Sequence, residues 1–345
     1  MVVAQKGKVR VIRDGKLLGR PFLDIRDQIA FVGGQNEERG LLSIAFPPDY
    51  QTSRRFYAFF TNNDSDIRIK EFLRSNQSPN LALKSSQRAL FRIRHPSKRR
   101  RNHYGGQLAV SPAGKLFVSI GDAGGEDPKN RAQSLDNLFG KLLRVNPHPA
   151  SGEDHGIPPD NPFVGVPGAR GEIWALGLRN PWRFSLDGTR LQLPDVGEDR
   201  FEELNLFPSL VSAKGRNLGW SGYEGPDVFN AARVPAEHRG PDFFYCHDVE
   251  DVACAAGFEG CSIVGGAVAH DPALPELEGR YVYGDFCEGE LRSLDPDDPF
   301  ATDAPLGVVV SPFSLTSVGS DNSGSLYATS LTGAVYKLVP DEGVP

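Results

Sequence analysis

Residues 101–125 read RNHYGGQLAVSPAGKLFVSIGDAGG, a stretch that combines a turn, a strand and two candidate catalytic side chains. Apolar residues alternate with small or polar ones on both sides of the polar turn at 111–114, and this pattern predicts two short strands. His103 comes just before Gly105 and Gly106, where the backbone can approach a ligand closely. Asp122 follows the second strand. A histidine and a carboxylate at neighbouring loop ends predict a general base with a polar helper, and the alternative is that His103 only completes a turn.

The same turn-and-strand pattern recurs along the chain. Polar turns that contain glycine precede short apolar strands at 111–122, 185–197 and 320–338, and a strand, a polar loop and a second strand follow one another at 54–72, 171–186 and 278–294. Repeats of irregular length are typical of propeller blades with insertions in their loops, and a β-sandwich is the rival fold. The stretch 134–145 is the one convincing helix, although its second half also reads as a strand.

Size and composition favour a single all-β domain over 1–345 with long loops on one face. The 345 residues include 38 glycines and 27 prolines, which suits many short strands joined by turns, and 146–170 is expected to be such a loop. The net charge of −6 gives no general attraction for nucleic acid or an anionic membrane. The basic run Lys98–Arg101 is the exception, and a solvated loop explains it better than a nucleic-acid patch, since no basic helix or aromatic platform accompanies it.

The cysteines indicate the cellular compartment in which the protein works. No stretch has the roughly 20 apolar residues of a membrane span, and residues 1–15 lack the apolar core of a signal peptide. Cys246, Cys254, Cys261 and Cys287 lie in one region without histidines at zinc-finger spacing, so two disulfides and an oxidising compartment are expected. We therefore expect a secreted or periplasmic protein whose leader is absent from this chain. A cytosolic protein with free thiols is the alternative.

Several long motifs, in order along nearly the whole chain, resemble the glucose/sorbosone dehydrogenase family, the soluble pyrroloquinoline-quinone (PQQ) sugar dehydrogenases and their relatives. They are ERGLLSIAFPPDY (38–50), NHYGGQLAVSPAGKLFVSIGD (102–122), NLFGKLLRVNP (137–147), EIWALGLRNPWRFSLD (172–187), DVGEDRFEELNL (195–206), NLGWSGYEG (217–225) and GGAVAHDPALPELEGRYVYGDFCEGELRSL (265–294). The resemblance implies a six-bladed β-propeller whose loops hold PQQ and calcium. It also implies hydride transfer from the anomeric carbon of a sugar to the quinone.

The resemblance also implies a role for particular residues. His103 matches the family's base and Asp122 the acidic residue that orients base and sugar. The residues expected on the cofactor or the sugar are Arg179, Asn180, Asn102 and Gln133, and the backbone carbonyls expected on calcium are those of Gly197 and Glu198.

The chemistry of these residue types agrees with those roles. A guanidinium beside a quinone carbonyl stabilises the negative charge that develops there on reduction, although an arginine before Asn-Pro is also common in a surface turn. Calcium prefers hard oxygen ligands, and Asp195, Asp199, Glu202 and Glu203 surround the Gly197 turn. An acidic turn on the surface is the alternative for that segment.

Two departures from the family pattern point to its second branch, which includes the propeller of hedgehog-interacting protein. SLTSVGSDNSG (314–324) replaces an Arg-Ile-Arg-Asp motif, and neither Ser314 nor Ser317 substitutes for a guanidinium that binds a carboxylate. Glu38 stands where a glutamine contacts the quinone, and a negative charge there would repel an acidic cofactor.

Three functions are therefore weighed. The first is a PQQ- and calcium-dependent aldose dehydrogenase, with a sugar substrate and a separate electron acceptor, in which Lys98–Arg101 compensates for the missing arginines. The second is a catalytically silent propeller that binds glycans or a protein partner, and the third is a calcium-dependent hydrolase such as a lactonase. Within this branch, the hairpin expected between Cys261 and Cys287 favours their pairing, which leaves Cys246 with Cys254.

Overall fold

The computed structural model describes residues 1–29, 31, 33, 37–247 and 258–341. Strands dominate this part of the chain, and its helices are single turns. The α-helical turns are α1 (Tyr50–Ser53) and α2 (Pro299–Thr302), and the 3-10 turns are Arg26–Gln28, Leu210–Ala213, Ala231–Arg233 and Pro275–Leu277. None of the helices in these ranges has the length and apolar character that crossing a membrane requires.

The chain forms two compact units, and the first comprises Met1–Asn180 and Lys214–Asn217. It contains three antiparallel sheets. The first sheet has the strands β1 (Val2–Ala4), β2 (Lys8–Arg10) and β5 (Leu23–Asp24), with a small hairpin of β3 (Ile12–Arg13) and β4 (Lys16–Leu17) between them. The second sheet has β6 (Leu41–Ala45), β7 (Arg55–Thr61), β8 (Ile67–Arg74) and β9 (Ala82–Ile93). The third has β10 (Leu108–Val110), β11 (Leu116–Ile120), β12 (Lys141–Val145) and β13 (Ile173–Leu176).

The second unit comprises Pro181–Ala213 and Leu218–Pro345 and also contains three antiparallel sheets. The first has β14 (Ser185–Asp187), β15 (Arg190–Asp195), β16 (Phe201–Phe207) and β19 (Phe243–Cys246), with a hairpin of β17 (Tyr223–Glu224) and β18 (Asp227–Val228) before the last strand. The second has β20 (Ala267–Val268), β21 (Tyr281–Gly284), β22 (Glu290–Leu294) and β23 (Ala304–Val309). The third has β24 (Leu315–Ser320), β25 (Leu326–Ser330) and β26 (Val335–Lys337).

Six sheets of three or four strands, each built from neighbouring stretches of chain, are the blades of a six-bladed β-propeller. The predicted fold class is confirmed. The strands predicted around the polar turns are present as well, for example β11 after the turn at 112–114.

Apolar residues on neighbouring blades of each unit form its core. In the first unit Phe22, Phe56 and Phe72 pack in one cluster, with the rings of Phe56 and Phe72 stacked at 5.6 Å between centroids. In the second unit Val282, Leu291 and Leu315 belong to a similar cluster. Functional residues commonly lie on loops that a packed core positions. The candidate site lies on such loops, at the ends of strands.

The helix predicted over 134–145 is wrong, and the strand that its second half also allowed is present as β12. The stretch forms turns up to Gly140 and then strand β12, which pairs with β11 and β13. Gly140 adopts a positive φ of 66°, and a Cβ there would lie 2.5 Å from the carbonyl oxygen of Leu178. A close backbone contact with a distant part of the chain therefore overrides the helical spacing of the leucines.

Candidate active site

The first unit brings His103 and Asp122 together. The Nδ1 atom of His103 lies 2.7 Å from Oδ1 of Asp122, and both side chains are buried. Burial opposes ionisation of Asp122, but the neighbouring His103, Arg179 and Gly124 N–H favour the carboxylate more, so the pKa of Asp122 lies below its ordinary value. An ionised carboxylate only accepts hydrogen bonds. We therefore assign the proton to Nδ1, which leaves Nε2 of His103 as the basic nitrogen.

The backbone around the pair explains why the loop sequence is rich in glycine. His103 has a positive φ of 59°, a conformation that a residue with a Cβ adopts only when its surroundings hold it. A Cβ on Gly121 would lie 2.3 Å from the carbonyl oxygen of His103. Gly124 donates its N–H to Oδ1 of Asp122 over 2.6 Å. The glycines therefore allow the two loops to approach closely enough for the side chains to pair.

Asn180 connects the histidine loop to a third segment. Its Oδ1 accepts the N–H of Gly105 over 3.0 Å, and its Nδ2 donates to Oε1 of Glu38 over 3.2 Å. The other oxygen of Glu38 accepts the N–H of Tyr104 over 3.2 Å. Burial raises the pKa of Glu38, although the nearby His103 opposes that rise. Glu38 is thus a part of the site that the sequence indicated only as a departure from a pattern, and its place just before buried strand β6 is the one local signal for it.

Arg179 and Asn102 lie beside the same pair. The carbonyl of Arg179 accepts the N–H of Asp122 over 2.8 Å, and its guanidinium is buried near enough to stabilise the carboxylate of Asp122. Oδ1 of Asn102 lies 3.1 Å from the position that a Cβ on Gly124 would take. Four of the predicted residues, together with Asn180, therefore surround one point of the first unit.

Gln133 lies on the loop before β12, where its amide pairs with the amide of Asn217. Nε2 of Gln133 donates to Oδ1 of Asn217 over 2.9 Å, and Nδ2 of Asn217 donates to Oε1 of Gln133 over 2.7 Å. These two hydrogen bonds between the amide groups fix the orientation of Gln133.

Lys141 supports the loop that carries Gln133, although no role in the site was predicted for this lysine. Its ammonium is fully buried and donates to the carbonyls of Arg131, Ala132 and Phe139 over 2.7–2.8 Å. Burial lowers the pKa of Lys141 to about 7. The only signal in the sequence is a lysine at the start of an otherwise apolar strand.

The second unit holds the predicted calcium residues in a turn around Glu224. Oε1 of Glu224 accepts the N–H groups of Glu198 and Asp199 over 2.8 and 2.9 Å, and those of Arg200 and Phe201 over 3.0 and 3.2 Å. In a trans peptide the carbonyl points away from the N–H. The carbonyls of Gly197 and Glu198 therefore both point away from Glu224.

The acidic residues near this turn have different surroundings. Glu203 is buried and its pKa lies well above the ordinary value, because of burial first and of the charge of Asp195 second. Glu202 instead accepts from Nε2 of His247 and from the N–H of Ile263, over 2.7 and 2.8 Å. It joins strand β16 to the segments that carry His247 and Ile263.

The predicted disulfide between Cys261 and Cys287 is confirmed, with 5.7 Å between the Cα atoms. Strand β20 pairs with β21 as the hairpin argument required. Cys254 lies outside the described residues, so its pairing with Cys246 stays a prediction.

The chain is thus a six-bladed β-propeller with a buried histidine–aspartate pair on the loops of its first unit. The family model for glucose/sorbosone dehydrogenase matches residues 1–328, and the chain belongs to this family.

Individual relatives agree with that assignment. The HIPL1 protein of Arabidopsis thaliana is 29% identical over 92% of this chain and 55% of its own length. The aldose sugar dehydrogenase YliI of Escherichia coli is 31% identical over 64% of this chain and 55% of its own length. The chain thus spans about half the length of these curated relatives. The PQQ-bound aldose sugar dehydrogenase of Streptomyces coelicolor shares the fold, with a TM-score of 0.63 at 23% identity over 91% of this chain and 78% of that one.

Proposed function

We propose that this protein oxidises an aldose sugar at its anomeric carbon and that it uses PQQ and calcium to do so. The observation that carries the proposal is the buried pair of His103 and Asp122, with 2.7 Å between Nδ1 and Oδ1. A histidine held in this tautomer presents Nε2 as a base, and a buried carboxylate stabilises the imidazolium that forms.

The residues of the first unit fit a quinone cofactor. Arg179 would lie against a quinone carbonyl and Asn180 beside it, since both are buried next to the pair. Glu38 is less repulsive to an acidic cofactor than its residue type suggests, because burial raises its pKa and favours the neutral acid. PQQ, when bound, would accept the hydride, with its two electrons, that leaves the sugar.

The protein's own part in the reaction is proton transfer and positioning. Nε2 of His103 takes the proton of the anomeric hydroxyl while the hydride departs from the same carbon. Asp122 holds the imidazole ring in place and balances its positive charge. The guanidinium of Arg179 stabilises the negative charge that develops on the acceptor.

Calcium fits the turn in the second unit. The carbonyls of Gly197 and Glu198 point away from Glu224, whose carboxylate holds the turn through four N–H groups. Carbonyl oxygens are ligands that calcium accepts readily.

A second function, a silent propeller that binds glycans or a protein, is favoured by one observation. Ser314 and Ser317 occupy the place of the carboxylate-binding arginines, and the hydroxyl of Ser314 is already bonded to the carbonyl of Ser311. Calorimetry with PQQ separates the two functions. Micromolar or tighter binding that Arg179→Gln weakens supports the enzyme, and no binding supports the silent propeller.

The disulfide supports a location outside the reducing cytosol. Cys261 and Cys287 are covalently joined, and such bonds persist in secreted and periplasmic proteins. We propose that the protein works in one of those compartments.

The activity test adds PQQ and calcium to the apoprotein and follows sugar-dependent reduction of an electron-accepting dye. His103→Ala should lower turnover by about two to four orders of magnitude while PQQ still binds. His270→Ala is the matched control, since His270 lies half exposed between Asp187 and Glu278 of the second unit. No dye reduction with common aldoses at saturating PQQ would refute the proposed activity. A loss below tenfold in His103→Ala would assign the base to another residue.

A further inference from the structure

The charge of this chain is distributed unevenly. The chain has a net charge of −6, yet residues 72–121 contain ten lysines and arginines and no aspartate or glutamate. His103 lies within this segment, which ends one residue before Asp122. A cationic segment of this length in an acidic protein indicates a local attraction for anions.

The structure places cations in facing positions on two adjacent strands. Arg68 of β8 and Arg92 of β9 are direct partners in the register of the two strands, and Arg94 follows two residues later. Like charges in facing positions destabilise a sheet. Among the described residues, the guanidinium groups of Arg68, Arg94 and Arg99 form no ion pair. Arg92 has Asp66 as a partner, whereas the guanidinium groups of Arg68, Arg94 and Arg99 remain available to an external anion.

The surface is only partly balanced by carboxylates. Asp66 lies 3.3 Å from Arg92, Asp64 lies 3.7 Å from Lys98, and Glu37 lies 4.0 Å from Arg101. The side chain of Lys98 is 75% exposed and that of Arg92 is 51% exposed. We define the cationic surface by seven residues: Arg68, Arg92, Arg94, Lys98, Arg99, Arg100 and Arg101. Seven cations against three carboxylates leave it positive.

Neighbouring titratable groups respond to this charge. The pKa of Lys70, two residues from Arg68 on β8, is lowered by burial and then by the charge of Arg68. The pKa of His95 is lowered to about 4 by burial, and Arg131 and Arg100 contribute to that shift. Burial is the larger cause of both shifts, and the neighbouring cations add to it.

The cationic surface reaches the candidate active site. The guanidinium of Arg100 donates to the carbonyl of Gly124. The N–H of that same glycine donates to Asp122, the partner of His103. A ligand that follows the cations inward therefore arrives at the pair that would take the proton of its hydroxyl group.

We propose that the cationic surface binds an anionic oligosaccharide, one that carries carboxylates or sulfates, and presents its terminal sugar to His103. This inference rests on the proposed function and names its substrate class. Residues 92–103 contain no phenylalanine, tyrosine or tryptophan on which bases could stack, so a single-stranded nucleic acid fits this surface less well. The sugar chemistry of His103 and Asp122 is what selects a glycan over an acidic protein.

Binding of defined oligomers tests the surface without any need for activity. Calorimetry at low and moderate salt compares an oligogalacturonate, a heparin-derived oligomer and a neutral malto-oligomer of equal length. We expect at least one anionic oligomer to bind with an affinity that falls as salt rises, and the neutral one not to bind. The two anionic arms distinguish carboxylate from sulfate recognition. Failure of both, or tighter binding to anionic vesicles or to single-stranded DNA, would overturn the proposal.

A variant with three substitutions, Arg68→Gln, Arg92→Gln and Arg94→Gln, should weaken that binding by roughly tenfold. The matched control carries Lys16→Gln, Arg20→Gln and Lys214→Gln, which remove the same charge at exposed positions elsewhere and should change the affinity less than about twofold. An equal loss in both variants would reduce the effect to net charge and contradict a defined surface.

Kinetics then separate this inference from the proposed function. In an active preparation the three substitutions should raise KM for the anionic oligomer by roughly tenfold and leave kcat, and both constants for glucose, unchanged. Binding of an anionic oligomer without oxidation of any sugar would support the cationic surface and refute the proposed enzymatic activity. Oxidation of glucose without binding of the anionic oligomers would support the enzymatic activity and refute the role of the cationic surface.

Discussion

Replacing Asp122 with asparagine tests the central pair, because the change keeps the shape and removes the charge. Oδ1 of Asp122 accepts two hydrogen bonds, from Nδ1–H of His103 over 2.7 Å and from the N–H of Gly124 over 2.6 Å. A hydrogen bond to a charged group contributes about 1.5–3 kcal/mol and a neutral one about 0.5–1.5 kcal/mol. The loss of charge on both bonds should therefore lower the free energy of unfolding by about 2–3 kcal/mol at neutral pH.

The pH dependence of that loss follows from the pKa of Asp122. Its pKa lies below the ordinary value in the folded protein, so the unfolded chain takes up a proton first as the pH falls. The stabilisation is therefore present above the ordinary pKa, near 3.9, and is lost as the pH falls through the lowered value. Urea unfolding of the native and variant proteins should show a difference that is constant near neutrality and shrinks in acid.

Turnover in a preparation with PQQ and calcium should fall by two to four orders of magnitude in Asp122→Asn, which is about the contribution of an oriented general base. Asp14→Asn is the control, because Asp14 lies in an exposed Asp-Gly turn where asparagine is equally suitable. A stability loss below about 1 kcal/mol together with turnover within about tenfold of the native value would refute the assigned pair.

Three further predictions concern the framework of the site. Lys141→Met should lower the free energy of unfolding by about 2 kcal/mol near pH 7, since buried carbonyls lose their donor while the cost of burying an ammonium is relieved. Because the folded pKa of Lys141 is about 7, the native protein should gain stability as the pH rises from 7 towards the ordinary lysine pKa. Urea unfolding of the variant should lack that gain. Glu224→Ala should cost about 3 kcal/mol and abolish any rise of Tm on addition of calcium, whereas an unchanged rise would separate Glu224 from calcium binding. Replacing Cys261 and Cys287 with serine opens a loop with a sequence separation of 26 residues and should cost about 3.5 kcal/mol by loop entropy, with peptide mapping of the native protein showing the linked peptide.

The strands and turns were predictable because their signals are local. The turn at 112–114 and the alternation in Leu116–Ile120 lie within ten residues, and each blade repeats that short-range pattern. His103 and Asp122 could be proposed as a pair for the same reason, since each stands at a loop end beside glycines.

Other features depend on contacts between distant residues. Asn180 and Glu38 are 142 positions apart in the chain, and the amide of Asn180 orients the histidine loop only because the fold brings them together. The segment around Gly140 failed for a related reason: its leucines have helical spacing, but the carbonyls of its turns are satisfied by Lys141, which a helix would place elsewhere.

The side chains of the candidate site are fixed by neighbouring loops before any ligand binds. Asp122 is held by the Gly124 N–H, Asn180 by Gly105 and Glu38, and Gln133 by the amide of Asn217. A group held in place in this way does not need to reorganise when charge develops on a reactant, and this preorganisation is the main electrostatic contribution of a protein to catalysis. The positive φ of His103 is the strain that accompanies it, and the close contact at Gly121 shows which backbone atoms maintain that conformation. Catalytic geometry in this protein is therefore a property of the glycine-rich loops as much as of the two residues that would transfer the proton.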